Sequence, residues 1–303
     1  MRTTARARNA SVEEVRAFYA ASMAAAGRRP HWPQGYAFEI RLEGAFEAVP
    51  REMFLPPGPW HVETGAGHYI ETPSADLRYL YRDVSIAIDR RGGINSGQPS
   101  GHAQFMGRLE PRPGETVVHI GAATGYYTAV LSMLVAPGGR VAAFEVDCEL
   151  ARWARRNLHA LDNVSFIAGN AAMLAVPDAD VFYVNAGVLA PPVHWLMALR
   201  PGGRMFLPWR PAAEIGVALF IHRTPIGFAA EATTPTWFMP CPGATSGALK
   251  ERKEKPPDLR AIMATRSLHL TAERPPDATA TAIYRRLWFS SRALEAAAET
   301  RLA

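Results

Sequence analysis

The sequence predicts an α/β fold: a doubly wound, mostly parallel sheet of about seven strands with helices on both faces. Three observations carry this. Between residues 116 and 209, short apolar runs alternate with helical stretches at the spacing of strand–helix–strand units. Two of those helical stretches close on Pro-Gly-Gly, at 137–139 and 201–203, a combination that stops a helix and turns the chain. No apolar run reaches the roughly 18 residues of a membrane-spanning helix.

Taken in order, residues 1–10 are Arg-rich and acid-free and lack the apolar run of a secretory signal, so they read as a basic tail. Ser11 followed by Glu14 is a capping-box pattern that opens a helix through VRAFYAASMAAA (15–26). A second helix is expected around LEGAFEAV (42–49), stopped by Pro50. From Pro56 to Gly101 the text is rich in Gly, Pro, Ser and aromatics, and reads as loop built over a site. The regular part follows. TVVHIG (116–121) is a strand and TAVLSMLV (128–135) a helix. RVAAFEV (140–146) is a strand, and CELARWARRNLHAL (148–161) a helix. VSFIAG (164–169) and ADVFYVN (179–185) are strands, APPVHWLMALR (190–200) a helix and RMFLPW (204–209) a strand. IGVALFIHR and GFAAEATTPTWFM read as hairpin strands. GATSGALKERKEKPPD reads as a linker, and the last stretch is expected to add strands before a short helix in ALEAAAETRLA. The predicted organisation is therefore a tail (1–10), a helical and loop part (11–113), a sheet core (114–245), and a linker with a C-terminal extension (246–303).

Composition narrows the function. The chain has 303 residues, 48% hydrophobic and 20% charged, which is globular rather than disordered. Its 33 basic and 28 acidic residues leave a net charge of +5. All three lysines, however, fall in KERKEK (250–255), and the arginines are spread along the chain and interleaved with acids. A nucleic-acid interface needs a clustered basic stripe, so the pattern argues against one. Cys148 and Cys241 are too few and too far apart for a disulfide framework. They read as reduced thiols of a cytoplasmic protein. No His, Cys, Asp and Glu cluster has metal-ligand spacing.

In such a sheet, ligands bind beyond the carboxyl ends of the strands at the switch point. The first strand of the core runs into Gly121-Ala122-Ala123-Thr124-Gly125. Glycines bounding such a turn let the backbone bend and a ligand lie against it; without a ligand, the same residues make a tight strand-to-helix connection. The next strand ends in Glu145, about twenty residues after Gly125, the spacing of an acid that accepts ribose hydroxyls. Asp147 is the alternative acid, and also suits the N-cap of the next helix. Asn170, after the third strand, stands where an adenine amino group could be read or a turn closed.

The run GETVVHIGAATGYYTAVLSMLVAPGGRVAAFEVDCELARWARRNL, then NVSFIAGNA, then ADVFYVNAGVLAPPVHWLMALRPGGRMFLP resembles a class I, Rossmann-like S-adenosylmethionine-dependent methyltransferase. More narrowly it is similar to the protein-L-isoaspartate O-methyltransferase family. AVPREMFLP (48–56) is similar to that family's VPRxxFxP segment. Tyr81-Arg82-Asp83 resembles its loop before the active site, and Gln98-Pro99-Ser100-Gly101-His102-Ala103 the segment following its catalytic-loop serine. The resemblance spans about Leu42 to Pro242. It implies an enzyme that uses S-adenosylmethionine to methylate a carboxylate of a protein or peptide. Gly121, Ala122, Ala123, Thr124 and Gly125 would lie under the methionine part of the cofactor, Glu145 and Val146 at the ribose, and Asn170 near the adenine. The loop containing Asn95, Ser96, Gly97, Gln98 and Pro99, with Asp83 and His102, would admit the substrate.

The sequence departs from the family at informative places. His119 stands where the family has an acid, Ala123 where it has a glycine, and Asn170 where it has an aspartate. Aligning on Pro99 puts Gly97 at the usual hydroxyl position, with Ser96 one step early. A one-residue shift would let Ser96 supply that hydroxyl. A carboxylate acceptor is ionised at neutral pH, so positioning and exclusion of water suffice for in-line methyl transfer. A hydroxyl acceptor needs a base, and His102 is the local candidate; the other reading of His102 is a structural histidine at a helix start. Two alternatives remain open: a small-molecule acceptor, and a non-catalytic module that keeps the fold.

Overall fold

The computed structural model describes residues 10–28, 35–65, 67–212, 215–244 and 257–295. All but the last residue of the basic tail, most of the lysine-bearing linker and all but the first three residues of the helix expected at the C-terminus lie outside them. The chain divides into two compact units, Met1–Glu110 and Pro111–Ala303.

In the first unit, α1 (Val12–Ala26), α2 (Gly35–Ala48) and α3 (Pro99–Leu109) pack on one another. The capping box of α1 is present: the Glu14 amide donates to Ser11 Oγ at 3.1 Å, and the Ser11 amide to Glu14 Oε2 at 2.7 Å. Its buried face carries Tyr19, Ala20, Met23 and Ala24. The Tyr19 ring meets Phe46 of α2 edge-on at 5.9 Å. The stretch between α2 and α3 is more ordered than its composition suggests. It forms two small antiparallel hairpins, β1 (His61–Gly65) with β2 (His68–Glu71) and β3 (Ala87–Asp89) with β4 (Ile94–Asn95). It also has an apolar cluster of its own around Leu55, Trp60, Leu80 and Ile86. The expectation of a loop without a core is corrected here. Four large side chains too scattered in sequence to show a period are enough to close a small core once Trp60 contributes its area.

The second unit is one mixed sheet. Its parallel half holds β5 (Thr116–Ile120), β6 (Arg140–Glu145), β7 (Val164–Ala168), β8 (Ala179–Val184) and the start of β9 (Leu199–Ala212), ordered β7-β6-β5-β8-β9. Strands buried on both faces read as continuous apolar runs, and Val117 through Ile120 are all buried. The intervening helices are α4 (Tyr126–Val135), α5 (Cys148–Leu158) and α6 (Val193–Ala198). Asp147 caps α5, accepting from the amides of Glu149 and Leu150 at 2.9 Å. α6 is short because Pro191-Pro192 precede it and β9 takes over at Leu199.

The antiparallel half continues from β9 through β10 (Ile215–Thr224) and β11 (Gly227–Pro235). After α7 (Leu259–Met263), the C-terminal segment adds β12 (Ser267–Leu270), β13 (Ala280–Ile283) and β14 (Leu287–Ser290) to the same sheet, in the order β11-β12-β14-β13. The sheet thus has ten strands among the described residues. Trp209 on β9 and Phe289 on β14 stack with ring centroids 4.3 Å apart, joining the extension to the body of the unit.

Candidate functional site

The predicted cofactor residues of the second unit converge at the carboxyl ends of β5, β6 and β7. The amides of Gly121 and Ala122 donate to the Phe144 carbonyl at 2.9 and 3.0 Å, which seats the turn on the end of β6. Gly121 and Gly125 have φ of +78° and +100°, a conformation open to glycine and strained for other residues. Ala123 also lies in the left-handed region, at φ +49°, and so carries the strain a glycine would avoid. Ala122 and Thr124 are buried, and the Thr124 carbonyl accepts from Asn157 Nδ2 at 2.9 Å.

Glu145 ties this turn to the next loop. Its Oε2 accepts from the Ala123 amide at 2.7 Å and its Oε1 from the Asp147 amide at 2.9 Å. Each oxygen keeps a further lone pair for a ligand donor. Burial pushes the carboxyl pKa up, against the hydrogen bonds from Asp147 and Ala123. Asp147 is used as the cap of α5, so Glu145 is the acid left for a ligand. Val146 is 43% exposed beside it. Asn170 closes a turn, its Oδ1 accepting from the Ala172 amide at 2.9 Å.

His119 is fully buried one residue before the end of β5. Nδ1 pairs with Thr128 Oγ1 at 2.8 Å, and Nε2 accepts from Asn185 Nδ2 at 2.9 Å. Burial lowers its pKa to about 3, so it is neutral. Asn185 follows β8 and packs against the turn: a Cβ added to Gly121 would lie 3.2 Å from the Asn185 carbonyl oxygen. Its side-chain Oδ1 is buried without a hydrogen-bond partner among the described residues.

The segment after β11 also reaches this region. The Gly187 amide donates to the Met239 carbonyl at 2.7 Å, and the Cys241 amide to the Gly187 carbonyl at 2.8 Å. A Cβ on Gly243 would lie 2.9 Å from Asn170 Nδ2. Burial, and secondarily the Glu145 charge, push the Cys241 thiol up to about 11. Asn185 and this segment were not foreseen from sequence, because their partners lie in distant elements and leave no local pattern.

The predicted substrate-loop residues lie in the first unit, gathered around the buried Arg51. Its Nη1 donates to the carbonyls of Leu80 at 2.6 Å and Arg82 at 3.1 Å, and its Nη2 to the Val84 carbonyl at 2.7 Å and Ser96 Oγ at 3.0 Å. The Ile86 amide also donates to Ser96 Oγ at 3.0 Å, and that hydroxyl donates to the Gly97 carbonyl at 3.2 Å. One donor and two lone pairs are all a hydroxyl has. The proposed role of Ser96 as a substrate hydroxyl is therefore corrected: its hydrogen-bonding capacity is spent holding the loop. Asn95 donates to Glu63 Oε2 at 3.1 Å and accepts from the Gly97 amide at 2.9 Å. Asp83 accepts from Gln98 Nε2 at 2.9 Å and from the Ser100 amide at 2.8 Å, and so caps α3, which begins at Pro99. His102 is buried in the first turns of α3, its ring edge-on to Phe105 at 6.3 Å.

Comparison with known proteins places the chain among relatives. Residues 33–243 match the model of the protein-L-isoaspartate(D-aspartate) O-methyltransferase family. A protein-L-isoaspartate O-methyltransferase of Ignicoccus hospitalis is 30% identical over 212 residues, covering 68% of this chain and 91% of that protein. One from Thermotoga maritima is 32% identical over 180 residues, covering 57% of this chain and 51% of its own length. A solved structure of a protein-L-isoaspartate O-methyltransferase shares the fold, with a TM-score of 0.62 at 22% identity, covering 90% of this chain and 88% of that one. With its Glu145-anchored turn at the switch point and a family match over most of its length, the chain belongs to the protein-L-isoaspartate(D-aspartate) O-methyltransferase family.

Proposed function

We propose that this chain is an S-adenosylmethionine-dependent O-methyltransferase that esterifies the carboxylate of isoaspartyl residues in proteins or peptides. The observation that carries the reading is Glu145, whose two oxygens are fixed by backbone amides from two loops and still have capacity to accept from a ribose. The buried acceptor of Asn185 beside Gly121 suits the α-ammonium of the cofactor. In this chain, neutral His119 and Asn185 together take the place of the family's acid. Gly121, Ala122, Ala123, Thr124 and Gly125 cradle the amino-acid end, Val146 lines the ribose side, and Asn170 with Gly243 borders the adenine. We assign these contacts to the stretch 114–245, and acceptor binding to residues 83–102.

S-adenosylmethionine held by these residues would supply a sulfonium methyl for in-line transfer to an acceptor carboxylate oxygen, with the thioether sulfur as leaving group. The protein's own work is orientation. Glu145 would fix the ribose, Asn185 the ammonium, and the loop braced by Arg51 would hold the acceptor. No proton need move for an ionised acceptor, so the mechanism needs no general base. Among the described residues no helix is long and apolar enough to cross a membrane. We place the activity in the cytoplasm, where the exposed Cys148 and buried Cys241 stay reduced.

The test is a calorimetric titration with S-adenosylhomocysteine, followed by methyl transfer to an isoaspartyl peptide and to its aspartyl isomer. Binding together with transfer to the isoaspartyl form is the expected result. No binding overturns the enzyme reading, and equal transfer to both isomers overturns the substrate.

A further inference from the structure

At the end of the sheet opposite the C-terminal strands, β7 is the edge, hydrogen-bonded on one side only, to β6. A groove of about 830 Å³ opens there between α5 and the end of β7, and its lining contains none of the residues assigned to the cofactor. Most of that lining is basic. Arg152, Arg155, Arg156 and His159 are all exposed, and their three- and four-residue spacing puts them on one face of the helix. Arg152 pairs with Glu149 at 2.7 Å. Arg155 and Arg156 have no carboxylate partner among the described residues. Ala168, at the end of β7, lines the groove too. The strand's neighbours show which way its backbone points: the Asn163 carbonyl accepts from the Val141 amide at 2.9 Å, and the Gly169 amide donates to the Glu145 carbonyl at 2.7 Å. Residues 163 and 169 thus turn to β6. Because these groups alternate along a strand, Phe166 and Ala168 turn their N–H and C=O to the open side.

We propose that this groove docks an extended acidic segment of a partner polypeptide, added as a strand to β7 with its carboxylates on the arginines of α5. The two sides match in spacing. Alternate residues of a strand share a face and lie about 6.6 Å apart. Arg152 and Arg156 lie one turn apart on α5, about 6 Å along its axis. A strand with an acid at every second position therefore presents carboxylates at the pitch of the basic face. The open N–H and C=O groups of Phe166 and Ala168 select a peptide over other polyanions, because a nucleic-acid backbone has no amides to pair with them. The groove residues lie outside those assigned to cofactor and acceptor, so docking here does not depend on methyl transfer.

The experiment titrates the full chain into a fluorescent peptide of alternating Glu and Thr and follows its anisotropy. The peptide binds, and more weakly as salt is added, because exposed charges are screened. Reversing two charges, Arg155→Glu with Arg156→Glu, weakens binding about tenfold or more, the measure of a hydrogen bond to a charged group. Both positions are on the solvent side of α5, so the thermal midpoint and the Kd for S-adenosylhomocysteine of that variant stay at the wild-type values. The same peptide N-methylated along its backbone keeps every charge and loses most of its affinity, which attraction between charges alone does not predict. No binding of the Glu-Thr peptide, or unchanged affinity in the double variant, overturns the groove. Equal binding of the N-methylated peptide overturns the added strand. A single-stranded oligothymidylate that binds more tightly than the peptide overturns the choice of partner. All three outcomes leave the methyltransferase reading untouched, since none of them measures methyl transfer.

Discussion

At the scale of single residues, two buried titratable groups in the second unit oppose each other with pH. Glu145 has a raised pKa because burial disfavours its charged form. Its folded pKa lies above its unfolded one, so its contribution to stability is largest at acid pH and is lost as the pH rises through the folded value. Ligand binding runs the other way, since ribose hydroxyls need an acceptor on both oxygens. Affinity for S-adenosylhomocysteine should therefore begin to fall, on acidification, at a higher pH than an exposed glutamate would set. In Glu145→Gln the amide can no longer accept from both the Ala123 and Asp147 amides. Affinity should drop by about tenfold or more, read by calorimetry at several pH values.

His119 titrates from its ordinary value of 6.5 down to about 3. The stability it confers is complete above the unfolded value and is lost as the pH falls through the folded one, because unfolding takes up a proton in that window. The unfolding free energy from denaturant titrations should fall as the pH drops from 6.5 towards 3, with a slope of at most about 1.4 kcal/mol per pH unit from this group. His119→Gln should flatten that part of the curve.

Arg51 is a third residue-scale case. It binds three carbonyls and one hydroxyl across 45 positions of sequence. Removing it leaves several buried acceptors unmet, so Arg51→Ala should cost roughly 3 kcal/mol or more and expose residues 80–96 to limited proteolysis. Lysine cannot reproduce the planar fork, so Arg51→Lys should fall close to the alanine variant in thermal midpoint.

At the scale of elements, what was legible followed from periodicity and punctuation. The capping box of α1, the Asp147 cap of α5, the strands β5 to β8 and the hairpin β10–β11 are written in short contiguous patterns. The cluster around Trp60 is not, because Leu55 and Trp60 pack with Leu80 and Ile86 from a separate stretch of the chain. The site divides the same way. The glycine turn and Glu145 show a spacing, whereas Asn185 reaches His119 across 66 positions and Ser96 reaches Arg51 across 45. Ser96 illustrates the limit: its residue type suggests chemistry, and only its partners reveal that the hydroxyl is used up. The C-terminal strands were legible as strands but not in their pairing order. Their attachment through Trp209 and Phe289 is testable. Trp209→Ala and Phe289→Ala should each destabilise by about 3–5 kcal/mol. The double variant should lose less than the sum, because the two rings share one contact. Urea unfolding of the four proteins checks this.

At the scale of the whole molecule, the net charge of +5 and the three clustered lysines say little about the reaction, and the departures from the family motifs say more. His119, Ala123 and Gly97 look like losses in sequence. In the structure, His119 is hydrogen-bonded to Asn185, and the His102 ring fills the space beside Gly97. Ala123 remains a strained residue in the turn. A sequence shows each substitution alone, while a fold shows what it packs against.

The strand order β12-β14-β13 has a consequence for how the protein is made. β14 comes after β12 and β13 in the chain, yet it lies between them and pairs with both. β12 can pair with β11 beforehand, but β13 has no partner in the sheet while residues 287–290 are still inside the ribosome. Until then β12 holds one edge of the growing sheet open. Synthesis of the parallel half can run ahead, but the antiparallel half closes only when one of the last described strands emerges and slots into the gap.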